Sequence, residues 1–217
     1  IVDLLTQKTI EVFSQKYQLY PTNNTILEDQ LKKALTPLLD KNINFDQVIV
    51  LHHNHYNSLV PAAFFDPENL GLYLQYNTKV FESDLFVYDT IERYNLYNIY
   101  VPFVNLNNIL LDIFKSFDYK NTTSILVQKI LDLSKNKDEN LVFVHYQNTH
   151  FEIVVVHNQK LLFYNSFEHK TVEDFIYYLL FTFEQLKLNP EHIKTYFIGN
   201  ITQNDAAYKT AYTYIRY

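Results

Sequence analysis

The feature that most constrains this chain is an alternating apolar run broken twice by short polar pairs. Leu141-Val-Phe-Val-His-Tyr-Gln147 alternates and is rich in β-branched and aromatic residues, which predicts a strand. His150-Phe-Glu-Ile-Val-Val-Val-His157 predicts the returning strand, and Lys160-Leu-Leu-Phe-Tyr-Asn165 a third. Asn148-Thr149 and Asn158-Gln159 supply the tight turns. With Asn148 and Thr149 in the turn, Gln147 faces His150, Tyr146 faces Phe151 and His145 faces Glu152. One face of the sheet then carries Val142, Val144, Tyr146, Phe151, Ile153 and Val155.

A helix is predicted next, to press on that face. Thr171 is a good N-cap with Asp174 three residues on, a variant of the capping box. Phe175, Ile176, Leu179, Leu180, Phe183 and Leu186 recur at helical spacing, and Asn189-Pro190 ends the run. Thr195 to Gly199 reads as a fourth strand and Asp205 to Arg216 as a last helix, giving the order β-β-β-α-β-α. The amino-terminal half suggests the same order. Val2 to Gln7 and Thr9 to Ser14 read as a hairpin around Lys8, with Tyr17 to Tyr20 as a third strand. Thr25 would cap a helix to about Leu39, kinked near Pro37, and Gln47 to Leu51 reads as a strand. An insertion follows, with short segments at Ser58 to Val60, Phe64 to Tyr73 and Leu85 to Tyr88. Asn98 to Pro102 is a further strand, then Leu106 to Phe117 and Ser124 to Leu133 read as helices. Meander, helix, strand, helix is the plan of the ribonuclease-H-like fold, and two such units in tandem form the actin-like ATPase architecture.

Composition excludes several chemistries. The 217 residues include only two glycines, Gly71 and Gly199, so there is no glycine-rich phosphate loop and no dinucleotide fingerprint. The absence of cysteine removes disulfides, thiolate metal sites and a cysteine nucleophile. A net charge of −6 argues against a nucleic-acid binder, which needs a basic patch. The best apolar run, Phe175 to Phe183, is about half the ~20 residues a membrane-spanning helix needs, and a cytoplasmic protein is expected. The sequence starts at Ile1 and holds no methionine, which reads either as a removed start or as residues lost from within, so local patterns carry more weight than long spacings.

Three stretches carry a family resemblance. Leu161-Leu-Phe-Tyr-Asn-Ser-Phe167, Thr171-Val-Glu-Asp-Phe-Ile-Tyr-Tyr-Leu-Leu180 and Tyr196-Phe-Ile-Gly-Asn200 resemble the domain-of-unknown-function 3822 family. Ser58-Leu-Val-Pro61, Leu72-Tyr-Leu-Gln-Tyr-Asn77 and Asn98-Ile-Tyr-Val-Pro102 are similar to it too, so the resemblance spans most of the chain. It implies an actin-like ATPase fold and no established activity. Such a fold implies phosphate contacts at two hairpin turns and an adenine contact after a strand. The matching positions are Thr6, Gln7 and Lys8, then Gln147, Asn148 and Thr149, then Gly199 and Asn200. Neither turn has a glycine, the usual glycine pair is reduced to Gly199, and no aspartate except Asp3 stands near an inner strand end. An ATPase needs carboxylates to organise Mg²⁺ and the attacking water. Gly199 is read as a strand-ending turn glycine.

Other constellations are read as structural. His53 and His55 share a strand face while His52 points away, and two imidazoles lack the third ligand that Zn²⁺ or Ni²⁺ requires. His145 opposite Glu152 has the form of a base with an orienting carboxylate, but a cross-strand polar pair is the favoured reading. The strand from Leu141 to Gln147 carries none of the carboxylates a two-metal nuclease needs, and no nucleophile elbow appears. Most of the 19 Tyr and 17 Phe fill the core, while Tyr208, Tyr212, Tyr214 and Tyr217 suggest a partner surface.

The sequence therefore predicts an α/β protein of two tandem ribonuclease-H-like subdomains, residues 1–120 with an insertion and 121–217, in an actin-like arrangement. No catalytic residue, metal ligand or cofactor is assigned. The expected function is non-catalytic, through a protein partner. The alternative is a Mg·ATP-binding protein holding its nucleotide at Gln147, Asn148, Thr149, Gly199 and Asn200.

Overall fold

A computed structural model describes residues 2–3, 8–9, 12, 24–41, 45–76, 79–81 and 84–216, with the backbone alone at 3 and 24–27. In chain order the first elements are β1 (Val2–Asp3), β2 (Lys8–Thr9), α1 (Asn24–Leu39), β3 (Ile49–His52), β4 (Asn57–Pro61), α2 (Leu70–Leu74), β5 (Val87–Ile91) and β6 (Leu96–Tyr100). There follow α3 (Val104–Phe114), β7 (Asp118–Asn121), α4 (Thr122–Leu133), β8 (Asn140–Tyr146), β9 (His150–His157), β10 (Lys160–Glu168), α5 (Val172–Gln185), β11 (Lys194–Gly199) and α6 (Ala206–Tyr214). The chain divides into two compact units, Ile1–Val50 with Phe103–Asp118 and Leu51–Pro102 with Tyr119–Tyr217.

In the first unit β1 and β2 pair antiparallel, Val2 opposite Thr9 and Asp3 opposite Lys8. Lys8 is thus a strand residue, not the hairpin turn the sequence suggested. The predicted third strand at Tyr17 to Tyr20 lies outside the described residues. Pro37 sits inside α1, and the Thr36 hydroxyl donates back to the Lys32 carbonyl at 2.9 Å one turn earlier. α1 packs on α3, and Phe45 meets Phe114 edge to face.

The second unit is built on a four-stranded sheet of order β10-β9-β8-β11. β8, β9 and β10 form an antiparallel meander, and β11 returns parallel to β8. The turn between β9 and β10 is tight because Asn158 and Gln159 both take positive φ, 40° and 67°. α5 starts at the Thr171 cap, where Asp174 donates its backbone N–H to the Thr171 hydroxyl and its carboxylate accepts from the Thr171 N–H, the reciprocal box expected. Val142, Val144, Phe151, Ile153 and Val155 pack against Phe175, Leu179 and Phe183 of α5 and Ala207 and Ala211 of α6. The opposite face, with Leu141, Phe143, Val154 and Val156, packs on Val127, Ile130 and Leu131 of α4. A second sheet, β4-β6-β5, is antiparallel and packs Val60 and Ile99 against Leu74 of α2.

A β-bulge separates Leu161 from Phe163 on β10. Before it Leu161 lies on the α4 side of the sheet. After it Phe163 has moved to the α5 side and Tyr164 to the α4 side. That one extra residue delivers the Tyr164 hydroxyl to the site below. Among the described residues, no helix is long and apolar enough to cross a membrane.

Candidate functional site

The α4 side of the main sheet is apolar along most of its length and polar at one end. Alternation puts His145, His150, Glu152, Ser166 and Glu168 on that side, with His145 opposite Glu152, Ser166 opposite Glu152 and Glu168 opposite His150. The start of α4 covers this end. Asn121 caps the helix by accepting from the Thr123 N–H at 2.9 Å.

Glu152 is the centre, 2 % exposed. Its Oε2 accepts from His145 Nδ1 at 2.6 Å, and its Oε1 accepts from the Thr123 hydroxyl at 2.7 Å and the Tyr164 hydroxyl at 2.9 Å. Burial pushes this carboxyl's pKa up, but the bonds from His145, Thr123 and Tyr164 outweigh it and hold the group below the usual carboxylate value. Tyr164 moves the other way, well above an ordinary phenol, through burial and the Glu152 charge. A second buried carboxylate, Asp89 on β5, accepts from the Asn121 N–H at 2.8 Å and from the Ser124 and Tyr100 hydroxyls. Burial and Asp89 together raise Tyr100 above its usual pKa.

From Glu152 a chain of hydrogen bonds runs outward to the residues matched to a nucleotide site. Asn200 Nδ2 donates to Gln147 Oε1 at 2.8 Å, which leaves the Gln147 amide nitrogen to donate to His145 Nε2 at 2.7 Å. His145 then carries its proton on Nδ1 and donates it to Glu152. Both nitrogens of the imidazole are engaged, so it is not placed to take a proton from a substrate. The backbone joins in: Asn200 N–H donates to the Tyr146 carbonyl at 2.7 Å, and the His169 N–H donates to the Thr149 carbonyl. His169 Nε2 bonds the Gln147 carbonyl at 2.9 Å.

The structure therefore brings Gln147, Gly199 and Asn200 together, while Asn148 and Thr149 stand exposed at the turn. Gly199 ends β11 at φ +91°, and a Cβ there would lie 2.5 Å from the Tyr146 carbonyl oxygen and 2.8 Å from His145 Cδ2. Thr6 and Gln7 lie outside the described residues.

β3 ends at His52, so His53 and His55 lie in the connection to β4 and not on a strand. Both rings turn toward His150, at centroid distances of 5.1 Å and 5.7 Å, and His53 lies 6.0 Å from His145. His150 is 7 % exposed, and its Nε2 is buried without a hydrogen-bond partner among the described residues. Burial drives its pKa down to about 4 and also lowers that of His53. Among the described residues, no three His, Asp or Glu side chains are placed to hold one metal ion. Sequence reasoning found the His145–Glu152 pair but missed Thr123, Tyr164 and His150 around it.

This architecture is that of the actin-like ATPase fold. A solved structure from Bacteroides thetaiotaomicron, described as a protein with actin-like ATPase fold and unknown function, matches with a TM-score of 0.86 at 18 % identity, over 99 % of this chain and 82 % of that one. At that identity the likeness carries the fold alone. The chain belongs to the family described as protein of unknown function (DUF3822), whose model matches residues 4–217. A comparison with curated proteins finds no match.

Proposed function

We propose that this protein is a non-catalytic, degenerate member of the actin-like architecture, two ribonuclease-H-like subdomains in tandem, that works in the cytoplasm through a protein partner and not on nucleic acid. One observation carries the reading. The chain Asn200–Gln147–His145–Glu152 engages two of the five residues matched to a nucleotide site, Gln147 and Asn200, and the pair that would act as acid and base. A phosphate gripped by the Gln147 and Asn200 side chains would have to break the bond between them, and the turn offers it no glycine-lined cradle of N–H groups.

Support for a protein partner comes from aromatic side chains left outside the core. On α5, Tyr177 and Phe181 stack and are exposed; on α6, Tyr208 and Tyr212 stack, and Tyr212 and Tyr214 are exposed. The two helices pack on each other. Tyrosine at a surface supplies contact area at small entropic cost.

Binding of Mg·ATP is the second reading, favoured by one fact: the hairpin turn and the end of β11 meet at one end of the sheet. Calorimetric titration with Mg·ATP, with Mg·ADP as control, separates the two. The proposal expects no saturable heat. Micromolar binding, about −8 kcal/mol, would replace it with the nucleotide reading.

A further inference from the structure

Three further imidazoles gather beside His145: His150 is buried, His55 half-buried and His53 exposed. His150 sits between His53 and His55, and His53 in turn sits beside His145. The charged and titratable groups facing His150 come from four places. His53 and His55 come from the β3–β4 connection, His145 from β8, Glu152 from its own strand β9, and Glu168 from β10. The Glu152 charge attracts a protonated His150, but burial outweighs that attraction, and neither carboxylate is hydrogen-bonded to the ring. Glu152 already accepts three hydrogen bonds, and the exposed Glu168 is paired with His55 at 3.0 Å. A proton on His150 Nε2 would have no acceptor in its buried position, and a second on His53 would set two cations in adjacent rings.

The connection that carries His53 and His55 is anchored mainly through side chains: Asn54 is buried, and its carbonyl accepts from Asn57 Nδ2 at 3.1 Å. His53 Nδ1 meets the Thr122 hydroxyl at 2.7 Å, and Asn54 Nδ2 donates to the Val101 carbonyl at 2.9 Å. Tyr56 N–H donates to Asn54 Oδ1 at 3.1 Å, and Val101 N–H donates to the Tyr56 carbonyl at 3.1 Å. No strand ladder ties residues 53–56 to the main sheet. We propose that residues 53–56 form an acid-released strap, seated over the polar end of the main sheet while the histidine cluster is neutral and lifted from it when His150 and His53 take up protons. Release follows from repulsion inside the cluster and from the gain in hydration of the charged rings. The α5-side core contains none of these groups and keeps its packing.

The His150 pKa lies lower in the seated form, at about 4, than in water, so the released form binds more protons across the interval between them. Falling pH therefore favours release below about 6.5, and neutral pH favours seating. Amide hydrogen exchange on the full chain, corrected for the intrinsic pH dependence of exchange, tests this. Protection of the Val101 amide, which donates to the Tyr56 carbonyl, should drop about tenfold or more between pH 7 and pH 4.5, while Val144 and Ile153 amides keep theirs. His150→Gln should abolish most of that drop, and His53→Asn, which removes the partner ring from the surface side, should weaken it. Constant protection, an equal loss at Val144 and Ile153, or a drop unchanged in both variants would overturn the proposal.

Discussion

Gly199→Ala is expected to destabilise this protein out of proportion to the one methyl group it adds. The backbone there has φ +91°, a conformation that costs an L-residue about 1–2 kcal/mol. The new Cβ would sit 2.5 Å from the Tyr146 carbonyl oxygen, far inside van der Waals contact, and that oxygen is fixed by accepting from the Asn200 N–H at 2.7 Å. Relief on one side breaks that bond, at about 1 kcal/mol. On the other side His145 Cδ2, at 2.8 Å, cannot retreat without disturbing the bonds to Gln147 and Glu152. The cost should be about 3–4 kcal/mol, a fall of roughly 10 °C in the melting midpoint for a unit of this size. Gly71→Ala is the internal control. It is helical, and its Cβ would meet only the Phe86 ring, at 3.1 Å, so its effect should stay within about 1 kcal/mol. Calorimetric melts of both variants decide. If Gly199→Ala melts within about 2 °C of the parent, the backbone strain and the tight packing against Tyr146 and His145 are wrong.

Thr123→Val keeps the shape of a side chain at the start of α4 but removes one of the three donors to Glu152; urea unfolding should show a loss of about 1.5–3 kcal/mol. Stability should also fall with acid in a defined order. Glu152 titrates lower folded than unfolded, so its contribution is present above the ordinary carboxylate value and is lost as pH falls through its folded value. His150, which also titrates lower folded, withdraws stability earlier, between about pH 6.5 and about 4. Urea midpoints measured from pH 8 downward should therefore hold level to about 6.5 and then decline; a rise in stability on acidification would contradict both shifts.

The parts of the fold legible in the sequence are those set by local pattern. The strand alternation from Leu141 to His157 and the two-residue turn at Asn148-Thr149 fix the register, and so the approach of His145 to Glu152. Thr171 and Asp174 announce α5. The neighbours of Glu152 and of His150 were hidden for three separate physical reasons. Tyr164 reaches it only because the bulge before Phe163 reverses the alternation of β10. Thr123 is brought in from 29 positions away by the packing of α4 on the sheet; a start at Ser124 leaves out the capping turn at Asn121 that aims its hydroxyl. His53 and His55 read as a strand face, whereas β3 stops at His52 and the connection folds both rings onto His150. β7, four residues long and polar, has no periodicity to read. The alternation of β9 already put His150 on the Glu152 side, so that member of the cluster was available from the sequence.

The protonation of one imidazole reports the hydrogen-bond chain from Asn200 to Glu152 directly. Nitrogen-15 NMR of labelled histidine at neutral pH should find His145 carrying its proton on Nδ1, with Nε2 unprotonated and accepting from Gln147, and the signals should not move on addition of Mg·ATP. A proton on Nε2, or a change in the His145 signals as Mg·ATP is titrated in, would mean that the site is open and that these residues are held in readiness for a ligand.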